Sequence, residues 1–411
     1  MEQEKSYHRM SREERGLDLV KRFKVIKTPS GWRVPSTTKA GHSYLVKFNG
    51  HEPKCDCPDC QLRRKKCKHI FAVEFYLKRQ IDEEGKVTET KGVKVTYSQD
   101  WKAYDKSQTN EKIYFMQLLK DLCLHIEQPN YEFGRPNLPY ADLIFASALK
   151  VYSTFSLRRF MSDLKIAKAM NMVENVPNFM SISNFLNKEE VTNILKELIS
   201  LSASPLKEIE KDFAVDSSGF STSRFARWFD HKWGKEKKYR VWLKAHLISG
   251  VKTNIVTGVE ITEGQANDSP QLLSLVQETA KHFEVKEVVC DRAYSSRGNL
   301  QAISDVGAVP YIPFKKHVSG RRGMLGTWGK MYHYFMYKHD EFMEHYHKRS
   351  NSETVFHMVK TKFRDNLRSK NRTAQTNELL LKILCHNICC VIQETNELNI
   401  KAEFCLEINQ K

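Results

Sequence analysis

The order of strands and helices in the C-terminal half constrains the fold more than any other feature. From Tyr239 to Leu247 the apolar positions recur at every second residue, the period that is typical of a β-strand. Three strand-like segments are followed by a helix, a strand, a helix and a strand. In chain order these are Phe213–Val215, Tyr239–Leu247, Asn254–Ile261, a helix from Ser269, Glu287–Cys290, Asn299–Val306 and Val309–Phe314. This order predicts a mixed five-stranded sheet covered by helices.

Two aspartates follow apolar strands directly: Asp216 in FAVDSSGF and Asp291 in VVCDRAYSS. We expect each strand to end at its aspartate, because strand ends are where α/β sheets display reactive groups. A carboxylate next to an apolar strand is costly unless it is paired or holds a metal ion. Either aspartate taken alone could instead be a helix cap or a turn former.

A predicted helix near the C-terminus carries a stripe of polar residues. Tyr346, Arg349, Glu353 and Lys360 fall within about 60° of one another at the angular spacing of an α-helix. The adjacent apolar stripe, which can dock the helix on the sheet, consists of Phe356, Val359, Phe363 and Leu367. The pattern predicts one packed helix that presents all four polar groups to one place. The alternative is a solvated charged face.

Together these residues resemble the DDE transposases of the insertion-sequence-4-like group, whose last catalytic helix carries Tyr-x2-Arg-x3-Glu-x6-Lys. The motif is complete here as YHKRSNSETVFHMVK, from Tyr346 to Lys360. The resemblance covers about Phe213 to Gln393. It implies an α/β RNase H-like catalytic domain with Asp216, Asp291 and Glu353 as the catalytic residues.

The resemblance also implies the chemistry. Three clustered carboxylates can hold two Mg²⁺ or Mn²⁺ ions about 4 Å apart, which suits phosphodiester cleavage. In the family, water first frees a 3′-hydroxyl, which then attacks target DNA. The resemblance and side-chain chemistry assign Tyr346, Arg349 and Lys360 to DNA. The partners are therefore double-stranded DNA, as transposon ends and target, and a second copy of the chain on that DNA. No GxxxxGK[ST] loop is present, so no nucleotide cofactor is expected.

A cysteine cluster marks the N-terminal region. It reads Cys55-Asp-Cys57-Pro-Asp-Cys60, followed by Cys67-Lys-His69. Three sulfurs and one imidazole nitrogen form a tetrahedral set that suits a structural zinc ion. The rival interpretation is a group of free thiols without a metal.

The cluster resembles a SWIM zinc finger, whose pattern is Cys-x-Cys, a spacer and Cys-x-His. The resemblance implies Cys55, Cys57, Cys67 and His69 as zinc ligands. Cys60 departs from the pattern, either as a bystander or as a replacement for Cys57. The cations around the cluster suit DNA phosphates and are Arg63, Arg64, Lys65, Lys66 and Lys68.

The chain is therefore expected to be multi-domain: a small α/β zinc-finger domain, a helical middle domain and the α/β RNase H-like domain. The expected boundaries are 1–80 for the finger, 81–110 for a linker, 111–204 for a helical, DNA-binding domain, 205–395 for the catalytic domain and 396–411 for a tail. Ile182–Leu186 is a candidate for part of a helix-turn-helix. The basic, aromatic segment Lys315–His345 either grips DNA or, since Met331–Lys338 also has a strand pattern, forms a strand pair.

Charge and hydropathy indicate which kinds of partner and which compartment to expect. Lysine and arginine outnumber aspartate and glutamate 66 to 49, and this net charge of +17 favours a nucleic-acid partner. No apolar run of membrane-spanning length and no secretory leader is present, so we expect a protein of the prokaryotic cytoplasm, associated with the nucleoid. The leading interpretation is a DNA transposase. Its rivals are an RNase H-like nuclease without strand transfer and a zinc-finger DNA-binding protein with an inactive catalytic domain.

Overall fold

The computed structural model describes residues 10–23, 25–28, 30–37, 42–49, 52–63, 65–80, 100–130, 137–222, 242–315, 318 and 325–404. The chain divides into two compact units, Met1–Ser98 and Gln99–Lys411. This agrees with the multi-domain architecture expected from the sequence. Each unit is described separately.

The described residues of the N-terminal unit form a four-stranded antiparallel sheet and three helices. Its elements are α1 (Arg12–Arg22), β1 (Ile26–Thr28), β2 (Gly31–Pro35), β3 (Ser43–Asn49), β4 (Glu52–Cys55), α2 (Pro58–Arg63) and α3 (Lys68–Gln80). The strands pair in chain order. Ser11 caps α1 by accepting from the Glu14 amide, while Glu14 accepts from the Ser11 amide, a capping box. The core combines Leu19, Val34, Val46 and Ile70 with the thiols of Cys55, Cys57 and Cys67.

The second unit is built on a mixed sheet, as the sequence predicted. Its strands are β5 (Asp212–Ser221), β6 (Trp242–Gly250), β7 (Val256–Glu263), β8 (Glu287–Cys290) and β9 (Val309–Tyr311). They lie in the order β7-β6-β5-β8-β9, antiparallel on the first side of β5 and parallel on the other.

Strand β5 does not end at Asp216, and this part of the prediction was wrong. The strand continues to Ser221 because β6 goes on pairing with it, from Ser217 opposite His246 to Ser221 opposite Trp242. Only the parallel pairing with β8 stops before Asp216. The start of the predicted strand Tyr239–Leu247 lies partly outside the described residues.

Helices cover both faces of this sheet. They are α4 (Trp101–Cys123), α5 (Tyr140–Ser153), α6 (Leu157–Ala169), α7 (Phe179–Phe185), α8 (Glu190–Ala203), α9 (Leu272–His282), α10 (Arg297–Asp305), α11 (Gly326–Tyr337), α12 (His339–Tyr346), α13 (Ser350–Phe363) and α14 (Arg372–Glu397). One hydrophobic core joins α4–α8, α13 and α14 to β6 and β7. The other joins α9–α12 to β5, β8 and β9.

Two segments differ from their sequence patterns. Met331–Lys338 is not a strand: it lies mostly in α11, where Met331 and Tyr332 are buried and Phe314 contacts Trp328, Tyr332 and Phe335. Tyr332 and Phe335 therefore pack in the protein, whereas Tyr337 is 82% exposed. Of the predicted linker 81–110, only residues from Asp100 are described, and there Asp100 already caps α4 through the amides of Lys102 and Ala103.

Helix α8, which follows the helix-turn-helix candidate in α7, is largely buried. Residues Leu198–Ala203 are all buried, and the helix packs on α14 and β7. A recognition helix must expose the side chains that enter a DNA groove. The described geometry therefore does not favour α8 in that role. In the described residues no helix is long and apolar enough to cross a membrane.

Glu394, near the end of α14, links stability to pH. Its side chain is largely buried, and this burial, with Glu397 and Glu210 nearby, raises its pKa from 4.5 to about 7. The folded protein therefore keeps this proton at pH values where the unfolded chain has lost it. Stability falls as the pH rises from about 4.5 to about 7, and the full cost is present above that range.

We expect Glu394→Gln to raise the free energy of unfolding at pH 8 by roughly 2–3 kcal/mol and to change it little near pH 4.5. Urea denaturation at the two pH values measures the difference. Glu344→Gln, an exposed carboxylate on α12, is the control and should show no such difference. Equal stabilisation by Glu394→Gln at both pH values would contradict the assignment.

Candidate functional site

The parallel pairing of β5 with β8 brings two of the predicted carboxylates side by side. Val215 is the register partner of Cys290, so Asp216 and Asp291 occupy the next positions of adjacent strands. One Asp216 carboxylate oxygen accepts from the Ser217 amide at 2.8 Å. Asp291 caps a short 3-10 turn and accepts from the Ala293 amide at 2.7 Å. Both side chains are therefore held at the same place on the sheet.

Arg349 connects Asp216 with Glu353. Its guanidinium donates to Asp216 Oδ2 at 3.3 Å and also pairs with the Glu353 carboxylate. Ser352 Oγ donates to the same Asp216 oxygen at 3.2 Å. The side chain of Asp216 is 18% exposed and that of Glu353 is 61% exposed. One carboxylate is thus fixed in the protein, and the other faces solvent.

Burial dominates the electrostatics of Asp216. It raises the pKa of this carboxyl, as does the negative charge of Asp291. Hydrogen bonds from Ser217 and Ser352 and the charge of Arg349 oppose the rise. A cation beside Asp216 and Asp291 would relieve both the desolvation and the repulsion. The site therefore favours a positively charged ligand.

Lys360 and Tyr346 extend the site on either side of Arg349. Lys360 Nζ donates to Ser218 Oγ at 2.6 Å and lies over the Phe220 ring, 5.1 Å from its centroid. Ser218 is two residues after Asp216, so both side chains lie on one face of β5. Burial lowers the pKa of Lys360 and raises that of Tyr346, whose hydroxyl also feels the charges of Arg349 and Asp291.

The four motif residues are not on one continuous helix, and that prediction was wrong in detail. Tyr346 ends α12, His347–Arg349 forms a 3-10 turn, and α13 begins at Ser350. The turn continues the helical path of the chain, so Arg349 still reaches both Asp216 on β5 and Glu353 on α13. The structure thus brings together the residues of the motif that the sequence singled out.

Sequence reasoning missed a second polar cluster on β5, β6 and the loop after β7. Ser217 Oγ donates to Asp268 Oδ1 at 3.0 Å, Lys244 pairs with the same carboxylate, and His246 Nδ1 lies 3.3 Å from it. Tyr294 is buried nearby, and its hydroxyl has no hydrogen-bond partner in the described part of the chain. The run Asp216-Ser217-Ser218 could have indicated this cluster. Successive side chains of a strand point to opposite faces of the sheet, so Ser217 lies on the face opposite Asp216 and Ser218.

The cysteine cluster forms a second candidate site. The ligand atoms of Cys55, Cys57, Cys67 and His69 lie within 4.8 Å of one another. Within the described residues, no other group of three or more Cys, His, Asp or Glu side chains does so. His69 Nδ1 is 4.0 Å from Cys55 Sγ and 3.8 Å from Cys67 Sγ. Ligands bound to one tetrahedral zinc ion are about 3.6 Å apart, given bond lengths of about 2.1–2.3 Å, so the group fits zinc.

Three elements supply these four residues. Cys55 ends β4, Cys57 precedes α2, and Cys67 and His69 flank the start of α3. Cys60 lies on α2 outside the group, and its amide donates to Cys57 Sγ at 3.4 Å. That contact involves only the backbone of Cys60. The role of the Cys60 side chain as a bystander therefore stays a prediction.

The thiols hold one another in unequal protonation states. A hydrogen bond from Cys55 lowers the pKa of Cys67 to about 4, and the same contact raises the pKa of Cys55. Burial raises the pKa of Cys57 to about 11. Of the three thiols, that of Cys67 therefore ionises most readily. A bound dication stabilises all three as thiolates.

One protein family matches the sheet of the second unit and the helices that follow it. Residues 208–388 match the family described as Transposase DDE domain, which is under half of the chain and includes β5–β9, α13 and most of α14. No curated protein matches the chain in the comparison. One similar solved structure is a cryo-electron-microscopy structure of piggyBac transposase in a synaptic complex with hairpin DNA. It shares 12% identity at a TM-score of 0.34, over 72% of this chain and 77% of that one. The family match supports a DDE transposase domain.

Zinc removal should unfold the N-terminal unit and leave the second unit folded, because the metal-binding residues belong to the small core of the first unit. Calorimetry with and without a zinc chelator measures this as the loss of one of two transitions. Cys67→Ser should have the same effect as the chelator, whereas the matched control Cys60→Ser should keep both transitions. One joint loss of all structure would contradict two independent units.

Proposed function

We propose that the protein is a DNA transposase of the DDE type, of the insertion-sequence-4-like group. The observation that carries the proposal is the contact of Arg349 with both Asp216 and Glu353, at the point where the pairing of β5 with β8 brings Asp216 beside Asp291. These residues lie within the stretch that matches the transposase DDE domain. The reaction is cleavage of phosphodiester bonds at transposon ends and strand transfer into target DNA.

The proposed catalytic cofactor is Mg²⁺ or Mn²⁺, held by Asp216, Asp291 and Glu353. Hard carboxylate oxygens suit these ions. The guanidinium of Arg349 contacts both Asp216 and Glu353, so a cation already lies between two of the three carboxylates. When bound, the two ions would activate the attacking oxygen and neutralise the leaving oxygen. The exposed Glu353 side chain is free to change partners.

The remaining motif residues are proposed to bind and orient DNA. Arg349, displaced from the carboxylates, offers a planar pair of donors for a phosphate. Lys360 is held by Ser218 on the face of β5 that carries Asp216, so its ammonium can neutralise a neighbouring phosphate. Tyr346 is half-buried and can stack on or donate to the cut end. No energy source beyond phosphodiester exchange is needed for joining the ends.

The N-terminal unit is proposed to be a SWIM-type zinc finger that binds the terminal repeats. Zn²⁺ held by Cys55, Cys57, Cys67 and His69 would connect β4, α2 and α3. The exposed cations Lys65 and Lys66 lie on the loop between Cys60 and Cys67, next to this centre. We retain the domain boundaries 1–80, 81–110, 111–204, 205–395 and 396–411 as functional divisions.

Assembly as a homodimer on DNA is part of the proposal, since two transposon ends must be cut and joined together. Association with a prokaryotic nucleoid in the cytoplasm stays a prediction. The same carboxylates would serve an RNase H-like nuclease that cuts without joining. Cutting of paired-end substrates without strand-transfer products would favour that nuclease.

Glu353→Gln and Asp216→Asn should abolish metal-dependent nicking of supercoiled DNA, with a loss of at least about 100-fold. Affinity for DNA should stay within about threefold, because the basic groups remain. Gel assays with Mg²⁺ or Mn²⁺ measure nicking, and fluorescence anisotropy with labelled duplex measures affinity. Glu344→Gln, an exposed carboxylate outside the site, is the control and should nick like the wild type.

Equal nicking by the wild type and both variants would place the chemistry elsewhere. DNA binding without any metal-dependent nicking, on substrates that carry the cognate ends, would favour the zinc-finger DNA-binding protein with an inactive catalytic domain.

A further inference from the structure

A groove separate from the carboxylates lies between α5, α6, α7 and the segment before α14. It is open to solvent and has a volume of about 500 Å³. Its polar lining includes Lys150, Ser156, Asn187, Arg368, Lys370 and Asn371. A small adjoining cavity shares Lys150 with the groove and is also lined by Arg364, Glu378 and Lys382. We call the groove the Lys150 groove.

Lys150 itself is the unusual member of this groove. The residue is 7% exposed, yet its ammonium has no hydrogen-bond or ion-pair partner among the described residues. Burial lowers the pKa of Lys150, and the negative charge of Glu378 opposes this shift without a hydrogen bond. A buried ammonium without a partner is costly, and an anion in the groove would supply one.

Two helices begin at the same groove. Ser156 is the N-cap residue of α6, and Asn371 is that of α14; neither side chain caps its helix. The first turns of both helices therefore keep free backbone N–H groups, and their positive dipole ends reach the groove. Such ends bind phosphate oxygens in many proteins.

The charge around the groove is not balanced internally. Five cations line it and the adjoining cavity: Lys150, Arg364, Arg368, Lys370 and Lys382. The lining carboxylate is Glu378, whose oxygens accept from the amides of Arg368 and Ser369. Lys382 donates to the carbonyls of Arg364 and Asn366. Lys150 and the exposed Lys370 are thus available to an incoming anion.

We infer that the Lys150 groove binds a phosphate group, and that this phosphate belongs to the DNA backbone. The assignment of the phosphate to DNA rests on the proposed function, whereas the anion site itself does not. Bound there, a phosphodiester would pair with Lys150 and Lys370 and accept from the first-turn amides of α6 and α14. The groove would position the duplex at a point away from the cleavage site.

The first experiment uses inorganic phosphate and the full-length protein. Thermal unfolding is followed as phosphate replaces chloride at constant ionic strength. The wild type should be stabilised, and the apparent affinity should fall about tenfold or more in Lys150→Met, because a charge-assisted contact is lost. Lys370→Ala, an exposed substitution that leaves the core intact, should weaken the response. Lys165→Ala, an exposed lysine of α6 outside the groove, is the matched control.

The second experiment measures binding of labelled duplex DNA across a salt series. Lys150→Met and Lys370→Ala should each weaken binding and reduce the slope of log affinity against log salt by about one. Lys165→Ala should change neither the affinity nor the slope.

If phosphate does not stabilise the wild type, the anion site is overturned. A phosphate response that depends on Lys150 and Lys370, with unchanged DNA binding, would overturn the DNA assignment and point to free phosphate or a nucleotide. A wild-type protein that binds phosphate but no DNA would refute the proposed function and with it the DNA assignment, and would leave the anion site standing.

Discussion

The position of the buried helix α14 is the constraint on which the candidate active site depends. Lys382 donates to the carbonyls of Arg364 and Asn366, and Glu378 accepts from the amides of Arg368 and Ser369. These contacts hold the segment after α13 in an extended path beside the end of β5, where Leu367 donates to the Ser221 carbonyl at 2.8 Å. Buried polar groups need such partners, so the segment has few alternatives. Helix α13, which carries Glu353 and Lys360, is thereby held against the sheet.

The same helix is fixed on its other side by a carboxamide. Asn387 accepts from the Val256 amide and donates to the Val256 and Ile199 carbonyls and to Ser202 Oγ. One side chain thus joins β7, α8 and α14. This explains why the helices before the sheet share a hydrophobic core with it: α14 packs on both. This shared core concerns packing alone, and the separate functions of residues 111–204 and 205–395 stay a proposal.

Charge is arranged differently at the two candidate sites. Beside β5 a guanidinium lies between Asp216 and Glu353 and offsets part of their negative charge. In the cysteine cluster three thiols and one imidazole lie within 4.8 Å of one another, a donor set that suits a zinc ion. Under the proposed function, an ion at the cysteine cluster would be structural, whereas an ion at the carboxylates would compete with Arg349 for them.

The sequence by itself determined that the second unit contains a mixed five-stranded sheet, and it determined the residue types of both candidate sites. These features are visible in short stretches of sequence: the strand periodicity, the positions of Asp216 and Asp291, and the spacing of Cys55, Cys57, Cys67 and His69. Only the tertiary structure decided that β5 continues to Ser221, that Arg349 bridges two carboxylates and that Lys150 faces a groove between helices. Those features depend on pairing and packing between segments far apart in the chain, and no local pattern encodes such contacts.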